Sequence, residues 1–393
     1  MTHGNRRPLD VALITHPRDA ADVARLFPWA DSLNAAGLAD LLGCLQPVYG
    51  EIIEAREINV GIIFLPILAQ DMIDPRKRAS SRKCLELQGL AKAAELGARH
   101  VCLGGLTGAL SNYGRRISAR AQALGIALTT GHAATAVSIV RQYDEALRQS
   151  AIAPDDATVA ILGVGSVGAG VGRLFAHSAR VSRPRRIVLV DTAAQQYRLQ
   201  SLAAEIVGTA GIPVSIERLE TRGTLPPDSR CYRDANVVIS AVSTAYVLDP
   251  ERAAPGTILI DDSQPYCWAR GAAYERMQRC GDILPCDAGL VDSSALGYRS
   301  CFPFDFADDV GQGSTISWSC LAEGMLRVRY PGLPGNIGEA EPAQLLAYER
   351  AFDEAGLAIP PLQCGRERLD VAQFRVAQAR LAAAMSAEIG GAA

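Results

Sequence analysis

The stretch Thr158-Val159-Ala160-Ile161-Leu162-Gly163-Val164-Gly165-Ser166-Val167-Gly168 constrains the fold of this chain more than any other. It opens as a short apolar run with β-branched residues, which reads as a buried strand. Gly163-x-Gly165-x-x-Gly168 follows, and Val171, Leu174 and Phe175 continue at helical spacing. A strand, a tight glycine turn and a helix N-terminus in that order make a pyrophosphate site. The first glycine permits the turn, the second lets backbone approach the phosphates, and the third lets helix and strand pack closely. Arg186 to Val190 reads as the next strand, and Asp191 ends it at roughly the 20-residue distance of a ribose-binding acid. The unit predicts a nicotinamide dinucleotide domain; its plain alternative is a structural turn in an ordinary α/β unit.

The chain around it alternates strand and helix. Strands are expected at 9–16, 61–66, 100–103 and 126–128, with helices at about 19–45, 78–97 and 133–149. The helix at 78–97 carries Cys84, Leu87, Leu90 and Ala91 on one face. After Pro154-Asp155-Asp156 come strands at 158–162, 186–190, 213–217, 236–240, 257–261 and 282–285. The run from Asn236 to Ser243 resembles the fourth strand of a Rossmann domain, whose end flanks the cofactor. The expected cofactor contacts are therefore Gly163, Gly165, Ser166, Val167 and Gly168 in the turn, Asp191 and Thr192 after the second strand, and Ala241, Val242 and Ser243 after the fourth. Residues 286–315 read as loop, and helices return at about 316–329, 342–356 and 366–388. The fold class is α/β: a Rossmann-type doubly wound parallel sheet at 151–295 and an N-terminal α/β substrate domain at 1–150. Residues 296–393 add C-terminal helices expected to pack back on the first domain, with substrate in the cleft between lobes.

Composition narrows the function. Hydrophobic residues make up 49% and charged residues 21%, and the net charge is −3. That describes a soluble globular protein with no global attraction to nucleic acid or an anionic membrane. The apolar run after the polar Met1–Pro8 is too short for a signal peptide, and nothing approaches the ~20 apolar residues of a membrane span. The 10 cysteines form no CxxC pair and have no histidine at metal spacing, so they imply no metal and read as reduced thiols of a cytoplasmic protein.

One thiol stands apart. In Gly311-Gln312-Gly313-Ser314-Thr315-Ile316-Ser317-Trp318-Ser319-Cys320-Leu321-Ala322-Glu323-Gly324-Met325-Leu326, glycine and Ser/Thr precede a helix, so Cys320 falls in its first turns. The macrodipole and unpaired N–H groups there favour a thiolate. A thiolate beside a nicotinamide suggests acyl transfer followed by hydride transfer. Cys286 and Cys301 are the alternative thiols. Trp268, Trp318, Phe302, Phe304 and Phe306 read either as the lining of an acyl tunnel or as core.

Several stretches resemble the long-chain acyl-[acyl-carrier-protein] reductases, the fatty-aldehyde-forming enzymes of cyanobacterial type. They are Phe64-Leu65-Pro66; Leu103-Gly104-Gly105-Leu106-Thr107 with Asn112; Thr129-Thr130-Gly131 with Thr135-Ala136 and Arg141-Gln142; Thr158 to Gly168; Val247-Leu248-Asp249-Pro250; and Cys320 to Leu326. The order and spacing are the family's, from about residue 10 to 360. The resemblance implies that Cys320 is the nucleophile and that an acyl thioester, on a carrier protein or CoA, is reduced to an aldehyde with NADPH or NADH. It also assigns Gly104, Gly105, Asn112 and Thr130 to the substrate side.

The chain departs from the pattern in three places. Ala134 stands where the family has a histidine, Ile67 replaces a glutamate, and Asp191 stands where an arginine is usual. His132 could then supply the proton, its alternative being a capping or core histidine. Asp191 favours NADH over the family's NADPH, because a carboxylate bonds a free ribose diol and repels a 2′-phosphate. Arg76-Lys77-Arg78, Arg82-Lys83, Arg115-Arg116 and Arg120 are either contacts for an acidic carrier protein or solvated helix faces. Two other functions stay open: an NAD(P)-dependent amino- or hydroxy-acid dehydrogenase or imine reductase of the shikimate-dehydrogenase-like type, and a non-enzymatic nucleotide-sensing regulator.

Overall fold

Leucine-, isoleucine- and valine-rich runs form the strands of two separate sheets. The computed structural model describes residues 7–300 and 313–391, with side chains as far as 381. In chain order the strands are β1 (Val11–Thr15), β2 (Val48–Ala55), β3 (Ile58–Phe64), β4 (His100–Leu103), β5 (Ala127–Thr129), β6 (Thr158–Leu162), β7 (Arg186–Thr192), β8 (Val214–Leu219), β9 (Val237–Ser240), β10 (Thr257–Asp261), β11 (Ile283–Asp287), β12 (Leu290–Asp292) and β13 (Ile316–Trp318). The described residues divide into two units, one formed within 7–135, 290–300 and 313–360, the other within 136–289 and 361–391.

The first unit holds a five-stranded sheet in the order β2-β3-β1-β4-β5. All neighbours run parallel except β2, which pairs antiparallel to β3. Strands β1 and β3 are buried along their whole length, as strands covered on both faces must be. Ile14, Ile63, Leu65, Leu85, Leu90, Val101 and Leu103 form the centre of the core. Strand β2 was not legible, because it is an edge strand whose polar and glycine residues leave no apolar run. The helical region at 19–45 is two helices, Ala20–Leu26 and Ala35–Cys44, joined by a 3-10 turn at Pro28–Ser32.

The helix at Arg78–Glu95 corrects the face read from the sequence. Its middle, Cys84–Gly89, is a π segment. The extra residue in that turn rotates everything after it. Leu85, Gly89, Leu90 and Ala93 are therefore buried, while Leu87 is 55% exposed.

The second unit holds a six-stranded, all-parallel sheet in the order β8-β7-β6-β9-β10-β11. Numbered within the unit this is 3-2-1-4-5-6, the doubly wound dinucleotide-binding order. Its topological switch point lies between β6 and β9, where such sheets bind ligand beyond their carboxyl ends. The long helix His132–Ser150 carries the chain from the first unit into this one. Within the second unit Tyr143 meets Phe175 edge-on, with ring centroids 5.1 Å apart. The last helix begins at Val371, after a two-stranded hairpin of Gln363–Cys364 and Glu367–Arg368, rather than at 366. Among the described residues no helix is long and apolar enough to cross a membrane, and no group of His, Cys, Asp and Glu could hold a metal ion.

The helix Ser319–Arg329 lies against β4 and β1 of the first unit through Gly324. A Cβ at that position would overlap Cys102 Sγ and come within 2.6 Å of Val11 Cγ1. Gly324→Ala should therefore destabilise the protein by about 1–3 kcal/mol, the usual effect of overfilling a packed core. Cys102→Ala in the same chain should recover part of the loss. Denaturant midpoints of the single and double variants check both expectations.

Candidate functional site

Strand β13 decides where the cysteine helix begins. The sequence pattern starts that helix at 316, but Ile316, Ser317 and Trp318 pair antiparallel with Asp292, Val291 and Leu290. Tertiary pairing overrides local periodicity, and the helix starts at Ser319. Cys320 is its second residue and is partly exposed, whereas the flanking Ser319 and Leu321 are buried. Trp318, the N-cap, supplies no side-chain cap. The Ser319 hydroxyl lies 3.0 Å from Thr135 Oγ1. A thiol in the first turn sits where the helix dipole favours its anion.

The segment after β5 meets this turn. Thr130 is buried and donates its N–H to Asn336 O at 2.9 Å. Gly131 has φ +75°, and a Cβ there would come within 2.5 Å of Cys320 Cα. Only glycine allows the two backbones to approach so closely. His132 opens the next helix, its N–H directed at Thr130 Oγ1 at 3.4 Å. Its ring meets Tyr113 edge-on at 5.7 Å, and a Cβ on Gly108 would lie 2.8 Å from Nε2. Nδ1 is buried with no hydrogen-bond partner. Burial pulls the His132 pKa down to about 4. The imidazole is neutral at pH 7, so it offers an N–H as a hydrogen-bond donor and carries no extra proton.

Glu323 joins the two segments. Its side chain is fully buried and accepts from Thr129 Oγ1 on one oxygen and from the Ala134 N–H, at 2.9 Å, on the other. Burial pushes its pKa up, against the pull of these donors and of Arg327. The reading from sequence gave Glu323 no role of its own. The available signal was an acid three residues after a cysteine in an otherwise apolar helix.

The residues that the resemblance assigns to substrate lie on neighbouring strand ends and the turns after them. Strands β4 and β5 are neighbours, Cys102 opposite Thr129, so Gly104 and Thr130 leave adjacent strand ends. The Leu106 N–H donates to His16 Nε2 at 3.0 Å, and His16 Nδ1 lies 2.9 Å from Pro17 O. This pattern fixes the neutral tautomer with the proton on Nδ1, and burial lowers the pKa. Gly105 has φ +57°, and a Cβ there would strike His16 Nε2 at 2.7 Å. His16 anchors this loop, and it had been read only as the end of a strand. Asn112 is exposed in a left-handed turn, φ +52°, next to Tyr113. At two of the three places where the chain departs from the pattern it resembles, Ala134 is buried with its N–H on Glu323, and Ile67 packs on the core.

The other candidates separate clearly. Cys286 is buried in β11, where burial raises its thiol pKa well above the ordinary value, so it is a poor thiolate. Trp268 is a core residue of the second unit, whereas Trp318 is partly exposed in the first. Cys301, Phe302, Phe304 and Phe306 lie outside the described residues. In the basic clusters Arg76 pairs with Asp74 and Lys77 with Asp71, and Arg78, Lys83, Arg115, Arg116 and Arg120 are exposed.

In the second unit the glycine turn has the geometry a pyrophosphate needs. Gly163 has φ +90°, donates its N–H to Val190 O at 2.8 Å, and would place a Cβ 2.6 Å from Ala241 O. Gly168 packs directly on the Gly163 carbonyl. Gly165 is the N-cap of the helix Ser166–His177 and brings no side chain to its N–H groups. Ser166 is buried and Val167 partly exposed. Asp191 accepts from the Val164 N–H at 2.7 Å and from the Thr192 N–H at 2.6 Å. Across the switch point Ala241 donates to Leu162 O at 2.9 Å, Val242 donates to Ser263 Oγ at 3.0 Å, and Ser243 is partly exposed.

No protein-family model matches the chain. It is 26% identical over 246 residues to the aminotransferase PigE of a Serratia strain, a match covering 61% of this chain and 26% of PigE. The chain thus corresponds to about a quarter of that relative's length. Among solved structures, a hetero-hexameric glutamate dehydrogenase from Thermus thermophilus is 14% identical, with 94% of this chain and 79% of that one covered and a TM-score of 0.39. A 5-ketofructose reductase from Gluconobacter is 10% identical, covering 96% and 100%, with a TM-score of 0.31. The A chain of dipicolinate synthase from Bacillus subtilis is 15% identical, covering 50% and 59%, with a TM-score of 0.29. The fold assignment rests on the strand order, independently of these likenesses.

His132, His16 and His100 all lie below the ordinary histidine pKa of 6.5, so between that pH and about 4 the unfolded chain binds more protons than the folded one. Their contribution to stability is complete above pH 6.5 and is lost as the pH falls towards 4. His132→Gln should make this decline shallower. Denaturant unfolding of both proteins across the window measures it; parallel curves would show that His132 titrates normally.

Proposed function

We propose that the protein is an NAD(P)H-dependent reductase that takes an acyl group from a thioester onto Cys320 and releases it as an aldehyde. One observation carries this reading. A partly exposed thiol stands in the first turn of a helix, its backbone against Gly131, which lies between Thr130 and the neutral His132 in sequence. The Cys320 thiolate attacks the acyl carbon, the C–S bond to the carrier breaks, and the carrier leaves as a thiolate that takes its proton from water. Covalent capture divides one difficult step into two easier ones. Thr130, through its hydroxyl, and His132, through its ring N–H, supply neutral hydrogen bonds near the reacting carbonyl without adding charge to the thiol's surroundings.

The glycine turn fits the dinucleotide. The N-terminus of the helix Ser166–His177, where the N-cap Gly165 brings no side chain, would hold the pyrophosphate, and Asp191 would hold the adenosine ribose. When bound in its reduced form, the cofactor would supply the hydride needed to reduce the acyl group held on Cys320 to the aldehyde level. The resemblance to acyl-carrier-protein reductases supports the acyl thioester as substrate, on a carrier protein or CoA.

Intact-mass spectrometry tests the covalent step. With an acyl thioester and no reduced cofactor, the protein should gain one acyl group; adding cofactor should discharge it. Cys320→Ala should form no adduct yet bind cofactor normally, and Cys286→Ala should still acylate. Full activity in Cys320→Ala would instead support a dehydrogenase that needs no thiol.

Cofactor choice is separately measurable. A 2′-phosphate brought to Asp191 meets a like charge, a penalty on the order of 1–3 kcal/mol, or about tenfold and more in affinity. Calorimetric titration should therefore show tighter binding of NADH than of NADPH.

A further inference from the structure

We infer that Glu323 is the positioning residue of the Cys320 site, fixing the first turns of the cysteine helix to the Thr129–Ala134 segment through its carboxylate. The inference rests on the reductase reading for its activity arm only. Cys320, Glu323 and Arg327 are spaced by three and four residues, so they share one face of the helix Ser319–Arg329. The face meets three parts of the first unit. Arg327 lies 3.3 Å from Ala127 O and 3.5 Å from Leu128 O, Glu323 is bonded by Thr129 and Ala134, and Cys320 abuts Gly131.

The Asn336 N–H donates to Thr129 Oγ1 at 2.9 Å, which leaves the threonine proton free to point at Glu323 Oε1. The Ala134 N–H points at Oε2. Both oxygens thus face donors, an arrangement that favours the carboxylate against the opposing effect of burial. Removing any one donor strands a buried polar group. The network therefore couples the loop at 336, the end of β5 and the start of the helix at His132 to the turn bearing Cys320.

The carboxylate also sets a charge one helical turn from the thiol. Arg327 on the same helix, Cys102 on β4 and Tyr348 on the helix Pro342–Ala355 are the other titratable groups that interact with it. An anion so close disfavours a second anion, so Glu323 opposes ionisation of Cys320 while it holds the thiol in place.

Position and charge are separable by substitution. Glu323→Gln keeps the shape and removes the charge; Thr129→Val keeps the charge and removes a donor; Thr129→Ser keeps both. The rate of Cys320 alkylation by iodoacetamide across pH reads the thiol directly and needs neither acyl substrate nor cofactor. Glu323→Gln should move its midpoint down by about half a pH unit or more, although aldehyde kcat falls by about tenfold with KM for reduced cofactor unchanged. Thr129→Val should lower kcat similarly and leave the midpoint in place, and Thr129→Ser should restore wild-type rates. The inference is overturned if Glu323→Gln leaves the midpoint unmoved, or if Thr129→Val keeps full kcat. If Cys320→Ala remains active, the reductase reading fails, while the shift in the alkylation midpoint still decides the charge effect of Glu323.

Discussion

A carboxylate sealed from water must be met by donors on both oxygens, and the first unit is arranged around that requirement at Glu323. Thr129 and Ala134 meet it from one side, and the helix that carries Cys320 delivers it from the other. The glycines at 131 and 324 follow from the same requirement. For the carboxylate to reach Ala134, the helix must lie flat on the strand ends, and a side chain at either glycine would push it away. The helix approaches β4 through Gly324, and its first turn approaches the loop after β5 through Gly131. Polar satisfaction and backbone proximity are thus one constraint seen from two directions.

The second unit solves a different problem by similar means. A parallel sheet leaves a crevice where its strand order reverses, and the chain there must turn within a few atoms of its neighbour. Gly163 and Gly168 allow the turn, and Asp191 ties the Val164 N–H to the end of the adjacent strand. The carboxylate therefore shapes the loop, and its two backbone donors fix its orientation at the end of the strand.

What could be read in advance follows from how local the information is. Strands β6 and β10 were legible at 158–162 and 257–261 because both are buried on two faces and carry uninterrupted apolar runs. Edge strand β2 carries no such run, and the π segment at Cys84–Gly89 rotates a helix face without changing any residue's character. Strand β13 is three residues whose conformation is set by pairing with Leu290–Asp292, a partner some 25 residues away in sequence. At the candidate site, Cys320 is singled out by its helix-start context together with a family resemblance, and His132 by its residue type at a strand end. His16, Thr129 and Asn336 are not, because each acts through a partner at least 90 residues distant.

Burial also explains why several of the cysteines are unsuited to chemistry. Cys102, Cys231, Cys267, Cys286 and Cys364 are buried, and burial raises every one of their thiol pKa values. A thiol in apolar surroundings is inert because its anion has lost water and gained nothing in exchange. Cys320 stands at the partly exposed start of a helix, where backbone N–H groups replace some of that lost water.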